Sequence, residues 1–213
     1  MKCKICGTGS FADLKCAVDA GTDAVGFLMG ITHITQDAVT PEEAAAMIKT
    51  LPPFMEPVAV THLQDASSII DIIRRSGCTT VQIQNAITRE DITIIRETLP
   101  YIRILKAVHV MDMSAVEAAE QAAAYADAII LDTRTPEKLG GTGLTHDWNI
   151  SAKIVESSKI PVILAGGLTP ENVGAAIERV HPYAVDVHTG VKKNDVRDAE
   201  KTKAFVKTAH TAV

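Results

Sequence analysis

Eight times along the chain a short run of β-branched and other apolar residues gives way to a longer, often alanine-rich amphipathic stretch. The short runs fall at residues 2–6, 24–28, 57–62, 80–84, 102–108, 127–132, 161–165 and 184–188. The amphipathic stretches lie near residues 10–20, 41–51, 66–76, 88–99, 113–125, 148–157, 170–180 and 197–209. Short strands buried on both faces, each followed by a helix, predict a parallel sheet covered by helices. Eight such units suggest closure into a (βα)8 barrel; an open doubly wound sheet has the same periodicity and remains the alternative. With no linker, low-complexity segment or repeat beyond the βα unit, residues 1–213 read as one barrel domain.

Helix ends carry matching chemistry. Thr40-Pro41-Glu42-Glu43 supplies an N-cap hydroxyl, a proline at the first helical position and a glutamate at the third. Thr169-Pro170 repeats the first two features, and Gly21 and Gly77 fall where helices need a left-handed C-terminal residue.

Composition excludes several classes of function. The formal charge of −5 includes no block of like charge and aromatics make up 4% of the chain, so no nucleic-acid surface is expected. The apolar runs fall far short of the ~20 residues of a membrane span, and no membrane partner is expected. Four cysteines behind a start that lacks a secretory pattern read as reduced thiols of a cytoplasmic protein. Monomer and homodimer are equally compatible with the sequence.

In a barrel of this kind reactive groups sit at the C-terminal ends of the strands, where the βα loops begin. Those ends read Cys6-Gly7, Gln82 and Gln84, Lys106, Asp132, Gly166-Gly167, and Asp186 through Gly190. Glycine-rich turns cluster late: Gly140-Gly141-Thr142-Gly143, Gly166-Gly167 and Thr189-Gly190. Glycines there either make tight turns alone or let backbone N–H groups close on a phosphate; three on neighbouring loops favour phosphate.

Cys3-x-x-Cys6 has metal-pair or redox spacing, but residues three apart on a strand point to opposite faces. Cys3, Cys16 and Cys78 then read as small buried hydrophobes. Cys6 shares a face with Lys4, whose ammonium is expected to favour the thiolate. Asp132 closes an apolar run, where desolvation raises a carboxyl toward the range of a useful general acid; capping the next loop or pairing with Arg134 is the plainer alternative. Asp147 reads as a helix N-cap rather than a partner for His146. The remaining histidines lack ligand spacing, so no metal is expected.

Taken in order, Lys4-Ile5-Cys6-Gly7, Ala20-Gly21-x-Asp23-Ala24-x-Gly26-Phe27, Leu131-Asp132-Thr133, Gly140-Gly141-Thr142-Gly143-x-x-x-Asp147-Trp148, residues 164–173 and Asp186-Val187-x-x-Gly190-Val191 resemble the phosphoribosylanthranilate isomerase family over nearly the whole chain. The resemblance implies a (βα)8 barrel that performs an Amadori rearrangement in tryptophan biosynthesis, without metal or cofactor. It places a general base on Cys6 and a general acid on Asp132. Phosphate binding falls on Gly141, Gly143, Gly166, Gly167, Thr189 and Gly190, and contacts to the rest of a phosphosugar substrate on Gln82, Gln84, Asp186 and His188.

Departures gather at the other end of the substrate. The family's serine-proline-arginine stretch after strand two is replaced by Gly30-Ile31-Thr32-His33-Ile34-Thr35-Gln36-Asp37. Its glutamine-leucine-histidine-glycine becomes Gln82-Ile83-Gln84-Asn85, its paired serines become His188-Thr189, and the phenylalanine before Asp147 is His146. The arginine fork that holds the aromatic carboxylate is therefore missing. Either His33, His146, His188 or Lys106 takes over, or a different amine is accepted; a related phosphosugar isomerase or lyase and a non-catalytic phosphosugar-binding barrel are the competing readings.

Overall fold

The helices begin and end where local chemistry satisfies their free backbone groups. In a computed structural model describing residues 1–32, 35–133 and 145–212, α1 (Phe11–Ala20) starts at Ser10 and ends on Gly21 at φ 77°. Helix α2 (Pro41–Ile48) carries the complete reciprocal cap, with the Thr40 hydroxyl accepting from the Glu43 amide and the Glu43 carboxylate accepting from the Thr40 amide. Gly77, also left-handed, ends α3 (Ala66–Ser76). Helices α4 (Arg89–Thr98), α5 (Ser114–Ala123), α6 (Trp148–Ser157), α7 (Val173–Val180) and α8 (Ala199–Thr211) follow in the expected order.

Between them run β1 (Lys2–Ile5), β2 (Ala24–Leu28), β3 (Glu56–Thr61), β4 (Thr80–Ile83), β5 (Arg103–His109), β6 (Ala128–Asp132), β7 (Val162–Leu164) and β8 (Ala184–Val187). All pair in parallel in chain order, and β1 pairs with β8 in the register Lys4↔Asp186, so the sheet closes into a barrel. The open sheet is thereby excluded.

Side-chain alternation divides the core into two layers. Outward residues such as Ile5, Phe27, Ile83, Ile104, Leu131 and Val185 meet the helices in the larger cluster. Inward residues, among them Cys6, Val58, Val60, Leu105, Ile130 and Ala165, fill the barrel. Cys3 lies in the first layer and Cys6 in the second, which separates the two thiols as their spacing predicts. Cys78 is buried as expected, whereas Cys16 is only partly covered.

Two segments differ from expectation. Helix α7 starts at Val173, later than Thr169-Pro170 suggests, because the Thr169 hydroxyl accepts the Glu171 amide in a local turn. Arg197, expected to open the last helix, instead lies in a hairpin of β9 (Lys192–Lys193) and β10 (Val196–Arg197), and Asp198 caps α8. No helix among the described residues is long and apolar enough to cross a membrane.

Candidate active site

A cavity of about 740 Å³ opens at the C-terminal mouth of the barrel. Its lining contains Cys6, Gln82, Gln84, Asp132, Gly166, Gly167, Asp186, His188, Thr189 and Gly190, brought together from five strand ends. Gly141 and Gly143 lie outside the described residues, as does His33.

The floor of this site is set by the closing seam. Lys4 and Asp186, register partners on β1 and β8, point inward and form a buried ion pair at 2.8 Å. Burial works against the Lys4 ammonium, but the Asp186 carboxylate and the Cys6 sulfur beside it outweigh that and raise its pKa.

Cys6 follows on the same inward face and is 5% exposed. Burial pushes its thiol up to about 11, against the opposing pull of Lys4. The expected thiolate is thus not the resting form. Lys4 is committed to Asp186, whose negative charge also opposes ionisation of the sulfur, and desolvation prevails.

Asp132, at the tip of β6, faces the same cavity from across the mouth. Burial raises its carboxyl to about 7, although Oδ1 accepts the Thr133 amide at 2.8 Å. The desolvation argument made from the apolar run therefore holds, and a proton can reside on this group near neutral pH. One acid poised near neutrality and one thiol reach the same space from β1 and β6, an arrangement suited to paired proton transfers across a small substrate.

Next to Asp132, the turn after β7 is shaped for close approach. Gly166 has φ 83°, and a Cβ there would stand 2.2 Å from the Thr133 hydroxyl. Asn172 fixes the turn from below, donating to the Gly167 carbonyl at 3.0 Å and accepting the Thr169 amide at 2.8 Å. The side-chain carbonyl oxygens of Gln82 and Gln84 are buried and accept no hydrogen bond, and both residues line the cavity.

Of the four groups named as substitutes for the missing arginine, the three among the described residues separate cleanly. Lys106 belongs to the outward face of β5, between Ile104 and Val108; its ammonium donates to the carbonyls of Ala107 (2.7 Å) and Ile83 (3.4 Å), and burial lowers it to about 8. It does not line the mouth. His146 bridges the hydroxyls of Thr133 (2.9 Å) and Ser151 (2.6 Å), and burial lowers it to about 4, so its ring is neutral. His188 does line the cavity. Asp147 caps α6, accepting the Asn149 amide at 2.9 Å, as its position predicts.

Several residues of the site were not singled out by sequence. Arg197 reaches back from β10 to the carbonyls of Cys6 (2.5 Å) and Gly7 (2.8 Å), clamping the tip of β1. Asp198, a good N-cap, was the available signal that Arg197 lies outside the helix. Asp37 and Lys192 meet at the lip of the cavity, an encounter that no local pattern announces. Among the described residues no group of three or more His, Cys, Asp or Glu side chains is placed to hold a metal ion.

Comparison with known proteins converges on one family. The family model described as N-(5'phosphoribosyl)anthranilate (PRA) isomerase matches residues 3–208. N-(5'-phosphoribosyl)anthranilate isomerase 2 of Methanosarcina mazei is 41% identical over 209 residues, covering 97% of this chain and 92% of the relative. The isomerase of Methanocella arvoryzae is 41% identical over 199 residues, with 91% and 92% covered. Among solved structures, phosphoribosyl anthranilate isomerase from Thermotoga maritima superposes with a TM-score of 0.83 at 32% identity, covering 99% of this chain and 98% of that one. A phosphoribosyl anthranilate isomerase in complex with reduced 1-(o-carboxyphenylamino)-1-deoxyribulose 5-phosphate gives 0.84 at 30% identity, with 99% and 98% covered. The chain belongs to the N-(5'-phosphoribosyl)anthranilate isomerase family.

Proposed function

We propose that this protein converts N-(5'-phosphoribosyl)anthranilate into 1-(2-carboxyphenylamino)-1-deoxyribulose 5-phosphate, the Amadori step of tryptophan biosynthesis, in the cytoplasm. The observation that carries the reading is the pairing of Cys6 with a carboxyl raised to about 7, Asp132, over one cavity in a chain of this family.

Asp132 in its acid form donates a proton to the furanose ring oxygen, and the ring opens to an iminium. Cys6 as thiolate then removes the C2′ proton, giving an enolamine that tautomerises to the ketone. At that point the thiol holds the substrate's proton and Asp132 is a carboxylate; moving one proton from sulfur to carboxyl restores the start. Because burial favours the thiol, reaching the thiolate depends on nearby positive charge, to which Lys4, Arg197 and the iminium itself contribute.

Phosphate binding falls to the Gly166-Gly167 turn and to Thr189 and Gly190, with Gly141 and Gly143 assigned by the family resemblance alone. Gln82 and Gln84 offer their unpaired carbonyl oxygens to sugar hydroxyls or the amine N–H. Asp186 acts through Lys4. The test is isomerisation of phosphoribosylanthranilate, followed by loss of anthranilate fluorescence. Turnover by the wild type is expected, with kcat lowered about 10²–10⁴-fold in Cys6→Ser. A folded wild type without turnover would overturn the proposal.

A further inference from the structure

The cavity lip holds a second anion site, already occupied by a carboxylate of the chain itself. Asp37 Oδ2 accepts from His188 Nε2 at 2.7 Å and from the Lys192 ammonium in a shorter contact. The Asp37 and Lys192 side chains are 10% and 8% exposed, so this is a desolvated site rather than a surface pair. All three residues line the cavity, and Lys192 is the one lysine or arginine among the described lining residues.

The position of the pair matters as much as its charge. His188 packs against Gly7, where a Cβ would stand 2.2 Å from Nε2, so the imidazole lies beside the Cys6 end of the site. The groups proposed for the phosphate are the Gly166-Gly167 turn, on the β7 side of the mouth, and Thr189-Gly190, which lie between His188 and Lys192 in the chain. Other cations are committed elsewhere: Lys4 to Asp186, Arg197 to backbone carbonyls, and Lys106 to the outer face of β5. The segment after β2, residues 29–39, contains neither lysine nor arginine.

From this geometry we infer that His188 and Lys192 are the specificity-determining seat of the substrate's ring carboxylate, and that Asp37 fills that seat until the substrate displaces it. The inference rests on the isomerase reading and deepens it. Exchanging one carboxylate for another leaves the charge of the seat unchanged, so the incoming group avoids burying an uncompensated anion. The His188 and Lys192 donors hold the Asp37 carboxyl down at about 2 against the effect of burial, so at neutral pH the resident group is the anion that a benzoate-type carboxylate would replace.

The experiment compares two ligands by calorimetry: reduced 1-(o-carboxyphenylamino)-1-deoxyribulose 5-phosphate and its counterpart without the ring carboxylate. Wild type, Lys192→Met, His188→Gln and Asp37→Asn are titrated, and turnover of phosphoribosylanthranilate by the wild type is measured in parallel. The wild type is expected to prefer the carboxylated ligand by at least about tenfold, the scale of one charged hydrogen bond. Lys192→Met should abolish that preference, His188→Gln should reduce it, and Asp37→Asn should tighten only the carboxylated ligand.

A preference that survives in both Lys192→Met and His188→Gln overturns the inference. So does equal weakening of both ligands by Lys192→Met, which would assign the lysine to the phosphate. Weakening of the carboxylated ligand by Asp37→Asn also overturns it, because Asp37 would then be a support and not a competitor. Absence of wild-type turnover is a separate result: it overturns the isomerase reading, and this inference with it.

Discussion

Lys4 and Asp186 meet at 2.8 Å across the seam that closes the barrel, two residues before Cys6 on β1. Both are buried, and each is the counter-charge that makes the other tolerable inside an otherwise largely apolar interior. The same contact governs Cys6, since a lysine committed to a carboxylate has less field to offer a sulfur.

Removing either partner leaves an uncompensated buried charge. Lys4→Met and Asp186→Leu should each cost about 3–5 kcal/mol in urea unfolding, whereas the double variant should recover most of the loss. Additive losses in the double variant would show that the two charges are not coupled.

The pH profile should invert the usual assignment of limbs. In the proposed mechanism the competent form carries a proton on Asp132, raised to about 7, and none on Cys6, raised to about 11. Below pH 7 the thiolate fraction grows about tenfold per unit while Asp132 stays protonated, so kcat/KM rises. Between the two values gain of thiolate cancels loss of acid, and the rate levels off. Measured from about pH 5 to 9.5, kcat/KM should climb and then plateau near pH 7; a clear fall between 7 and 9 would contradict the pairing.

Asp132 should weaken the fold that buries it. Its folded carboxyl titrates near 7, above the ordinary 3.8, so the native state holds the proton more tightly than the unfolded chain. That contribution is complete below about 3.8 and is lost as pH rises through about 7. Asp132→Asn, which has no charge to bury, should therefore melt above the wild type by a few degrees at pH 8, and the difference should shrink toward pH 5. Calorimetric scans at the two pH values check this; a variant less stable at pH 8 would refute it.

The succession of strands and helices, most helix caps and the apolar setting of Asp132 were legible because each depends on near neighbours in the chain. Asp132 follows Ala128-Ile129-Ile130-Leu131, so its apolar setting can be read from five consecutive residues. Lys106 was not legible in this way. Its place in an apolar strand gives no sign of which face it occupies until the register with Ile83 and Ile129 is known. His146 likewise stands beside Asp147 in sequence yet engages Thr133 and Ser151.

By itself the sequence determined eight alternating units, the placing of Cys3 and Cys6 on opposite faces of their strand, and a carboxyl at the end of the sixth strand, all of which follow from side-chain period and local capping. Tertiary structure alone decided that the barrel closes with Lys4 against Asp186, which takes from Cys6 the charge that proximity had promised it. It also brought Asp37 to His188 and Lys192, more than 150 residues away along the chain. Electrostatic outcomes of that kind depend on burial and on distances between strands and loops remote in sequence, which no local pattern encodes.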